Sequence, residues 1–317
     1  MDHLKVVVTG SAGALGSHMA ERLFDAGHQV IGVDAYTAYY AVIEKERTAK
    51  ELMQMGIETR YANVADDLLE NIVPADTEFI FHFAAQPGIS DNVPFDAYLT
   101  NNIKATERLI AHAESLKNLK GFIFISTSSV YGAQALGNEL SEPCPTSWYG
   151  VTKLAAEQLV LAAARNGPIS AASARLFSVY GERERPDKLF RKLITAIDEG
   201  SPIPLYEGSR DHKRSFTYVS DIVDGLMAML THWEKSKGEI FNLGSDEVHS
   251  TGEAIDYIEE LMGKRGNYHV QPRRRGDQLE TSADIAKARA HLGYAPRVSL
   301  KEGLAREIAW CRARRAQ

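Results

Sequence analysis

The chain has 317 residues, 44% of them hydrophobic and 25% charged, and a net charge of −6. That composition belongs to a soluble globular protein of one large or two modest domains, and the acidic balance argues against general attraction to nucleic acid or anionic membranes. Two cysteines, Cys144 and Cys311, stand far apart in sequence and suggest neither a disulfide framework nor a zinc site, so no metal and a reducing, cytoplasmic setting are expected.

An apolar run opens the chain at Leu4, which predicts no signal peptide. No stretch approaches the roughly 20 apolar residues of a membrane span. Short apolar runs at 5–8, 29–33, 58–62, 79–83 and 121–126 are predicted to be buried parallel strands, with helices over 17–26, 96–115 and 149–165 between them. This alternation predicts an α/β fold, a Rossmann-type doubly wound parallel sheet, over residues 1–175. After about Ser173 prolines and glycines break the pattern, predicting a smaller mixed α/β substrate domain over 176–214 and 246–317. The runs 216–219 and 240–243, within 215–245, are expected to return to the main sheet. No internal repeat or low-complexity tract is present.

The first strand runs into Thr9-Gly10-Ser11-Ala12-Gly13-Ala14-Leu15-Gly16. In a strand–turn–helix context Gly10 permits the tight turn, Gly13 admits a pyrophosphate to the backbone, and Gly16 lets helix and strand pack closely. The helix start offers free N–H groups and positive dipole to the phosphates. Asp34 follows Gly16 by 18 residues, and no Lys or Arg occurs from Ala35 to Ile43. A carboxylate there accepts ribose hydroxyls and repels a 2′-phosphate, so NAD is expected rather than NADP. Asn63 and Val64 after the third strand are placed at the adenine. Phe83, Ala84, Ala85 and Gln86 end the fourth strand at the edge where such sheets bind ligands. Asn101 joins the cofactor set, and His82 is read as structural.

Tyr149 and Lys153, four residues apart, project from one face of a predicted helix. A lysine beside a phenol favours phenolate and lowers a pKa of about 10, which would make Tyr149 a proton acceptor near neutrality. Between them and the glycine turn lies Ser126-Thr127-Ser128-Ser129-Val130-Tyr131-Gly132. Taken in this order, the motifs resemble the extended short-chain dehydrogenase/reductase family, and within it the nucleotide-sugar epimerases. The likeness runs from about Lys5 to Trp310. It implies that Thr127, Tyr149 and Lys153 are the catalytic residues. Tyr149 would take the proton of a sugar 4-hydroxyl while hydride passes to NAD, Thr127 would hold that oxygen, and Lys153 would also bind the nicotinamide ribose. The 4-keto sugar would then turn over and be reduced on its other face. Ser128 and Ser129 stand where dehydratases and decarboxylases of the family carry acids, so simple epimerisation is expected.

Arg175-Leu176-Phe177-Ser178-Val179-Tyr180-Gly181, followed by Arg185-Pro186-Asp187, is similar to the UDP-glucuronate 4-epimerase branch. A C6 carboxylate calls for hydroxyl donors and an arginine fork, which Thr127, Ser128, Ser129, Ser178 and Arg185 can supply. The resemblance also implies Tyr206 at the uracil, Arg214 and Arg274 at the diphosphate, Asp277 among the substrate contacts, and Thr281 where sugar size is limited. The expected function is NAD-dependent 4-epimerisation of a UDP-hexuronate by a homodimer. The alternatives are a neutral or N-acetylated UDP-hexose as substrate and, more remotely, an inactive dinucleotide-binding module.

Overall fold

The computed structural model describes residues 3–90, 92–272 and 279–315. Seven parallel strands form one sheet in the order Ile240–Leu243, Ala171–Leu176, Gly121–Thr127, Phe79–His82, Lys5–Thr9, Gln29–Asp34, Glu58–Tyr61. The order reverses between the first strand and Phe79–His82, opening a crevice at the carboxyl edge. Alternate strand residues feed two apolar layers. Val6, Val8, Phe79, Phe81, Ile123 and Ile125 pack with Met19 and Leu23 of the helix Ala14–Asp25 on one face. Val7, Ile31, Val33, Ile80, Phe122 and Phe124 pack with Leu109 and Val160 on the other. Both faces are therefore dry, as period-two alternation within a continuous apolar run requires.

Two expectations need correction. The strand Glu58–Tyr61 is half-exposed rather than buried, because it is the sheet's edge and carries Glu58, Thr59 and Arg60. The run at 216–219 does not return to the main sheet. Thr217–Tyr218 instead pairs in parallel with Val179–Tyr180, since Ile240–Leu243 already occupies the free edge of Ala171–Leu176. A third apolar cluster, with Phe190, Ile194, Ile255, Ile258, Leu304 and Ile308, ties together the helices Leu189–Glu199, Thr251–Met262 and Leu300–Arg315.

The predicted helix over 96–115 is three pieces. A turn at Phe95–Tyr98 leads into a π-helical stretch Leu99–Lys104, and an α-helix follows from Ala105 to Ala113. Among the described residues no helix is long and apolar enough to cross a membrane.

Candidate active site

Gly10 turns the chain with φ +73°, a conformation few side chains tolerate, and a Cβ there would lie 2.8 Å from the backbone N of Ala84. Glycine thus lets the first turn and the end of the fourth strand touch. Gly13 caps the helix beyond without a side-chain acceptor, and Ala14, Leu15 and Gly16 form that helix's first turn. Asp34 closes the adjacent strand end. Its two oxygens accept from the N–H groups of Ala12 (3.0 Å) and Tyr36 (2.8 Å). Burial pushes the Asp34 carboxyl up, against the pull of those donors and of Lys45. Lys45 is buried and donates to Thr37 O at 2.8 Å, a basic neighbour that the stretch 35–43 did not reveal.

At the other side of the crevice His82 is wholly buried, bridging Thr9 Oγ1 (2.7 Å) and Thr106 Oγ1 (3.0 Å). Burial lowers its pKa to about 3, so it serves as a neutral structural link. Thr9 Oγ1 in turn accepts from Ala84 N–H at 3.2 Å, holding the Phe83-Ala84-Ala85 strand end against the glycine turn. Gln86 is fixed by Asn102, whose Oδ1 accepts its N–H at 2.7 Å, while the Gln86 Nε2 is buried without a hydrogen-bond partner. A glycine cradle, a carboxylate with spare lone pairs and an orphaned amide donor fit a dinucleotide. Asn63 is different. Its side chain is engaged within its own turn, with Asp66 (2.6 Å) and the N–H of Ala65 (3.0 Å), and the carbonyl of Val64 accepts from Arg108 at 2.9 Å.

The helix Trp148–Asn166 begins at Ser147, whose hydroxyl accepts the N–H of Gly150 at 3.1 Å. A Cβ at Gly150 would stand 2.6 Å from the carbonyl oxygen of Ser129. This glycine therefore lets the helix abut the 3₁₀ turn Ser128–Tyr131, which brings Tyr149 to Thr127. Thr127 Oγ1 accepts from Ser129 N–H at 3.2 Å and lies 3.3 Å from Ser129 Oγ. The phenol of Tyr149 is not lowered as the Tyr-Lys spacing predicts. Burial pushes it up, while a hydrogen bond with Thr127 and then the charge of Arg185 pull it down. Arg185 is thus a cation whose charge favours the phenolate. Lys153 lies 3% exposed over the ring of Phe124, 4.1 Å from its centroid, and burial drops its pKa to about 7 against the pull of Glu157.

Arg185 forks onto Asp187 at 2.9 and 2.8 Å and lies 5.1 Å from the ring centre of Tyr39. The sequence pattern puts Arg185 at the substrate; the structure adds Tyr39 to it. Three non-glycine residues have positive φ among those described, Tyr36 (45°), Ser178 (24°) and Arg183 (61°). The first lies two residues after Asp34, and the other two lie seven and two residues before Arg185, so strain is stored around the crevice. Ser128 is buried in the 3₁₀ turn. Tyr206 ends the two-stranded ribbon of Pro202–Tyr206 and Asn267–Gln271. Arg214 faces Thr281 in a four-stranded sheet, where Thr281 pairs onward with Ala135 and keeps a buried hydroxyl without a partner. Arg274 and Asp277 lie outside the described residues.

Sequence reasoning selects Asn101 and misses its neighbour. Asn101 only bonds back to Ala97 O at 2.9 Å. Asn102 is the residue aimed inward, linking Gln86 to Thr152 Oγ1 (3.0 Å), and Thr152 lies between the two reacting residues of the Trp148–Asn166 helix.

Comparison with known proteins agrees with this geometry. The NAD dependent epimerase/dehydratase family matches residues 6–244. An uncharacterized UDP-glucose epimerase of Bacillus subtilis is 36% identical over 97% of this chain and 98% of its own. A probable UDP-glucuronate 4-epimerase of Rhizobium meliloti is 30% identical over 97% of this chain and 96% of its own. The crystal structure of UDP-glucuronic acid 4-epimerase from Bacillus cereus, in complex with UDP-glucuronic acid and NAD, superposes with a TM-score of 0.92 at 33% identity, over 98% of this chain and 99% of that one. On its glycine turn, its Tyr149–Lys153 helix and a match spanning most of its length, the chain belongs to the NAD dependent epimerase/dehydratase family.

Proposed function

We propose that the chain is an NAD-dependent 4-epimerase of a UDP-hexuronate, interconverting the glucuronate and galacturonate forms. The observation that carries this reading is a buried phenol, Tyr149, that hydrogen-bonds with Thr127 and feels the charge of Arg185, itself forked onto Asp187. NAD, when bound, would supply a reversible hydride acceptor for transient oxidation at C4. Gly10, Gly13, the first turn Ala14-Leu15-Gly16, Asp34, the strand end at 83–86 and Lys153 hold it. Tyr149 takes the proton of the 4-hydroxyl, and Thr127 keeps a hydrogen bond on the reacting oxygen. Arg185 gives a carboxylate at C6 a two-donor partner and lowers the cost of charge on the phenol. Ser128, Ser129 and Ser178 add hydroxyl donors. The resemblance assigns Arg214 and Arg274 to the diphosphate and Asp277 to the substrate contacts, and Tyr206 offers its ring to the uracil.

Incubation with UDP-glucuronate, followed by proton NMR of the C4 resonance, is expected to give UDP-galacturonate. Turnover of UDP-glucose or an N-acetylated UDP-hexose in its place would overturn the uronate assignment. The Bacillus subtilis relative supports that neutral-sugar reading, whereas the small residue Thr281 leaves room for a carboxylate or an N-acetyl group alike. Arg185→Ala should cost uronate turnover far more than any neutral-sugar turnover, and equal losses would refute a carboxylate contact. Tyr149→Phe is expected to abolish turnover and leave NAD bound. The same reading includes a homodimer in the cytoplasm. Its support is an exposed aromatic pair, Phe95 and Trp148, with ring centres 5.1 Å apart at the base of the helix Trp148–Asn166. Light scattering at twice the chain mass tests it.

A further inference from the structure

Three helices meet at the outer end of the third apolar cluster and turn charged faces toward one another. Glu44, Arg47 and Glu51 recur at three- and four-residue intervals on Val42–Met55, Arg191 and Thr195 on Leu189–Glu199, and Cys311 and Arg314 on Leu300–Arg315. Between them lies a cavity of about 300 Å³ whose lining carries Arg47, Arg191, Arg314 and Arg315 against the single carboxylate Glu44.

The cations there are under-supplied with acceptors. Arg191 Nη2 and Arg314 Nε each stand 3.5 Å from the same Glu44 oxygen, Oε2. Arg314 has one further partner, Glu51 through Nη1, yet its side chain is only 8% exposed and its Nε and Nη2 are buried without a hydrogen bond. Arg315 is drawn outward to Asp198 (2.9 Å) and Glu199 (2.8 Å). Arg47 makes no ion pair or hydrogen bond with a described residue. Buried guanidinium donors without acceptors are unfavourable, and an anion that supplies them relieves that cost. The guanidiniums of both Arg191 (5.0 Å) and Arg314 (5.8 Å) lie over the ring of Trp310, so a nucleotide base would have to compete with them to stack there. What remains is room for a compact anion among arginine forks.

We propose that this cavity is a second anion site, taking a compact phosphoryl dianion between Arg47, Arg191 and Arg314. It uses no residue assigned to the sugar, the diphosphate or the dinucleotide, and it stands whether or not the chain epimerises a UDP-sugar. It also adjoins the reacting centre along the chain: Arg191 Nη1 donates to the carbonyl of Glu184 at 2.8 Å, one residue before Arg185.

Calorimetric titration of inorganic phosphate into the purified chain, at fixed ionic strength in chloride, tests the site. Saturable one-site binding is expected in the unmodified chain and in Arg214→Ala, with at least a roughly tenfold weaker Kd in Arg47→Glu. No saturable binding in the unmodified chain, equal binding by Arg47→Glu, or loss of binding in Arg214→Ala would each overturn the proposal. Should the thermal midpoint of Arg47→Glu fall, Arg47→Ala takes its place: weaker binding supports the site, and binding equal to the unmodified chain overturns it. A parallel titration with glucose 1-phosphate separates the sources of the ligand. Comparable affinity means the site accepts a phosphate ester, and binding of inorganic phosphate alone assigns it to the free anion.

Discussion

Two cations are buried beside the same helix, and the fold treats them in opposite ways. Arg175, on the strand Ala171–Leu176, is 1% exposed and fully provided for. Its guanidinium forks onto Glu157 at 2.6 and 3.1 Å, and its Nη1 donates to the hydroxyl of Tyr131 at 2.9 Å. Glu157 also accepts from Ser173 Oγ at 3.0 Å, and Tyr131 passes its own proton donation to Asn242 at 2.8 Å. Lys153, one turn before Glu157, is 3% exposed and makes no hydrogen bond with a described residue. A satisfied buried ion ties helix, strand and 3₁₀ turn together. An unsatisfied one is held ready for something the chain itself does not contain. Between these two cations, lack of a hydrogen-bond partner distinguishes the one beside the reacting residues from the one in the scaffold.

The largest effect should come from removing the unsatisfied cation. Lys153→Met is expected to cut turnover roughly 10²–10⁴-fold while making the chain more stable. The sign follows from linkage. Unfolded lysine keeps its proton to about 10.4, whereas burial brings the folded value to about 7. Between these limits the unfolded state binds more protons, so stability rises with pH, and the penalty is fully present below about 7. Lys153→Met should therefore raise the thermal midpoint most at pH 6 and less at pH 9. Melts that fall equally at both would mean Lys153 is a paired structural ion like Arg175.

The opposite sign is expected for the satisfied pair. Arg175→Met leaves Glu157 charged, buried and without its fork, and should cost about 3–5 kcal/mol in denaturant unfolding. Adding Glu157→Leu should recover a large part of that loss, because the orphaned charge goes with it. If Arg175→Met alone is neutral, the network contributes little and the contrast with Lys153 collapses.

Much of this contrast is legible in the chain before folding, and the remainder has a physical reason for being hidden. The glycine turn, Asp34 and the Tyr149–Lys153 spacing are local, each set by one strand end or one helix face. The partner of Tyr149 is not. Arg185 acts on it from a loop 36 residues further on, and only the folded loop reveals that its charge pulls the phenol down. The inward-facing role of Asn102 is hidden for a different reason. The stretch Leu99–Lys104 is π-helical, with i→i+5 bonds, and the wider turn shifts which residue faces the strand end. An α-helical wheel drawn through 96–115 cannot foresee that shift. Gly150 carries no sequence signal of its role, and only the fold shows that it allows the helix to reach the 3₁₀ turn.

The smallest effect concerns a third buried ion, on the C-terminal helix. Glu307 is fully buried, and its carboxyl shares a hydrogen bond with that of Glu184 rather than pairing with a described cation at salt-bridge distance. Burial, and then the charge of Glu184, raise its pKa well above the carboxylate range, and burial takes Glu184 itself up to about 7. The sign is the reverse of that for Lys153. The folded chain keeps a proton that unfolded glutamate releases near about 4.3, so stability falls as pH rises from there toward the folded value. Glu307→Gln keeps the shape and removes the titration. It should raise the thermal midpoint by roughly 2–4 °C at pH 8, the shift of about 1 kcal/mol in a chain of this size, and leave it nearly unchanged at pH 4. A lower midpoint at pH 8 would mean that Glu307 is bound to a cation as Glu157 is to Arg175. Lys153 would then be the remaining unsatisfied ion of the three, and lack of partners would point to the reacting centre alone.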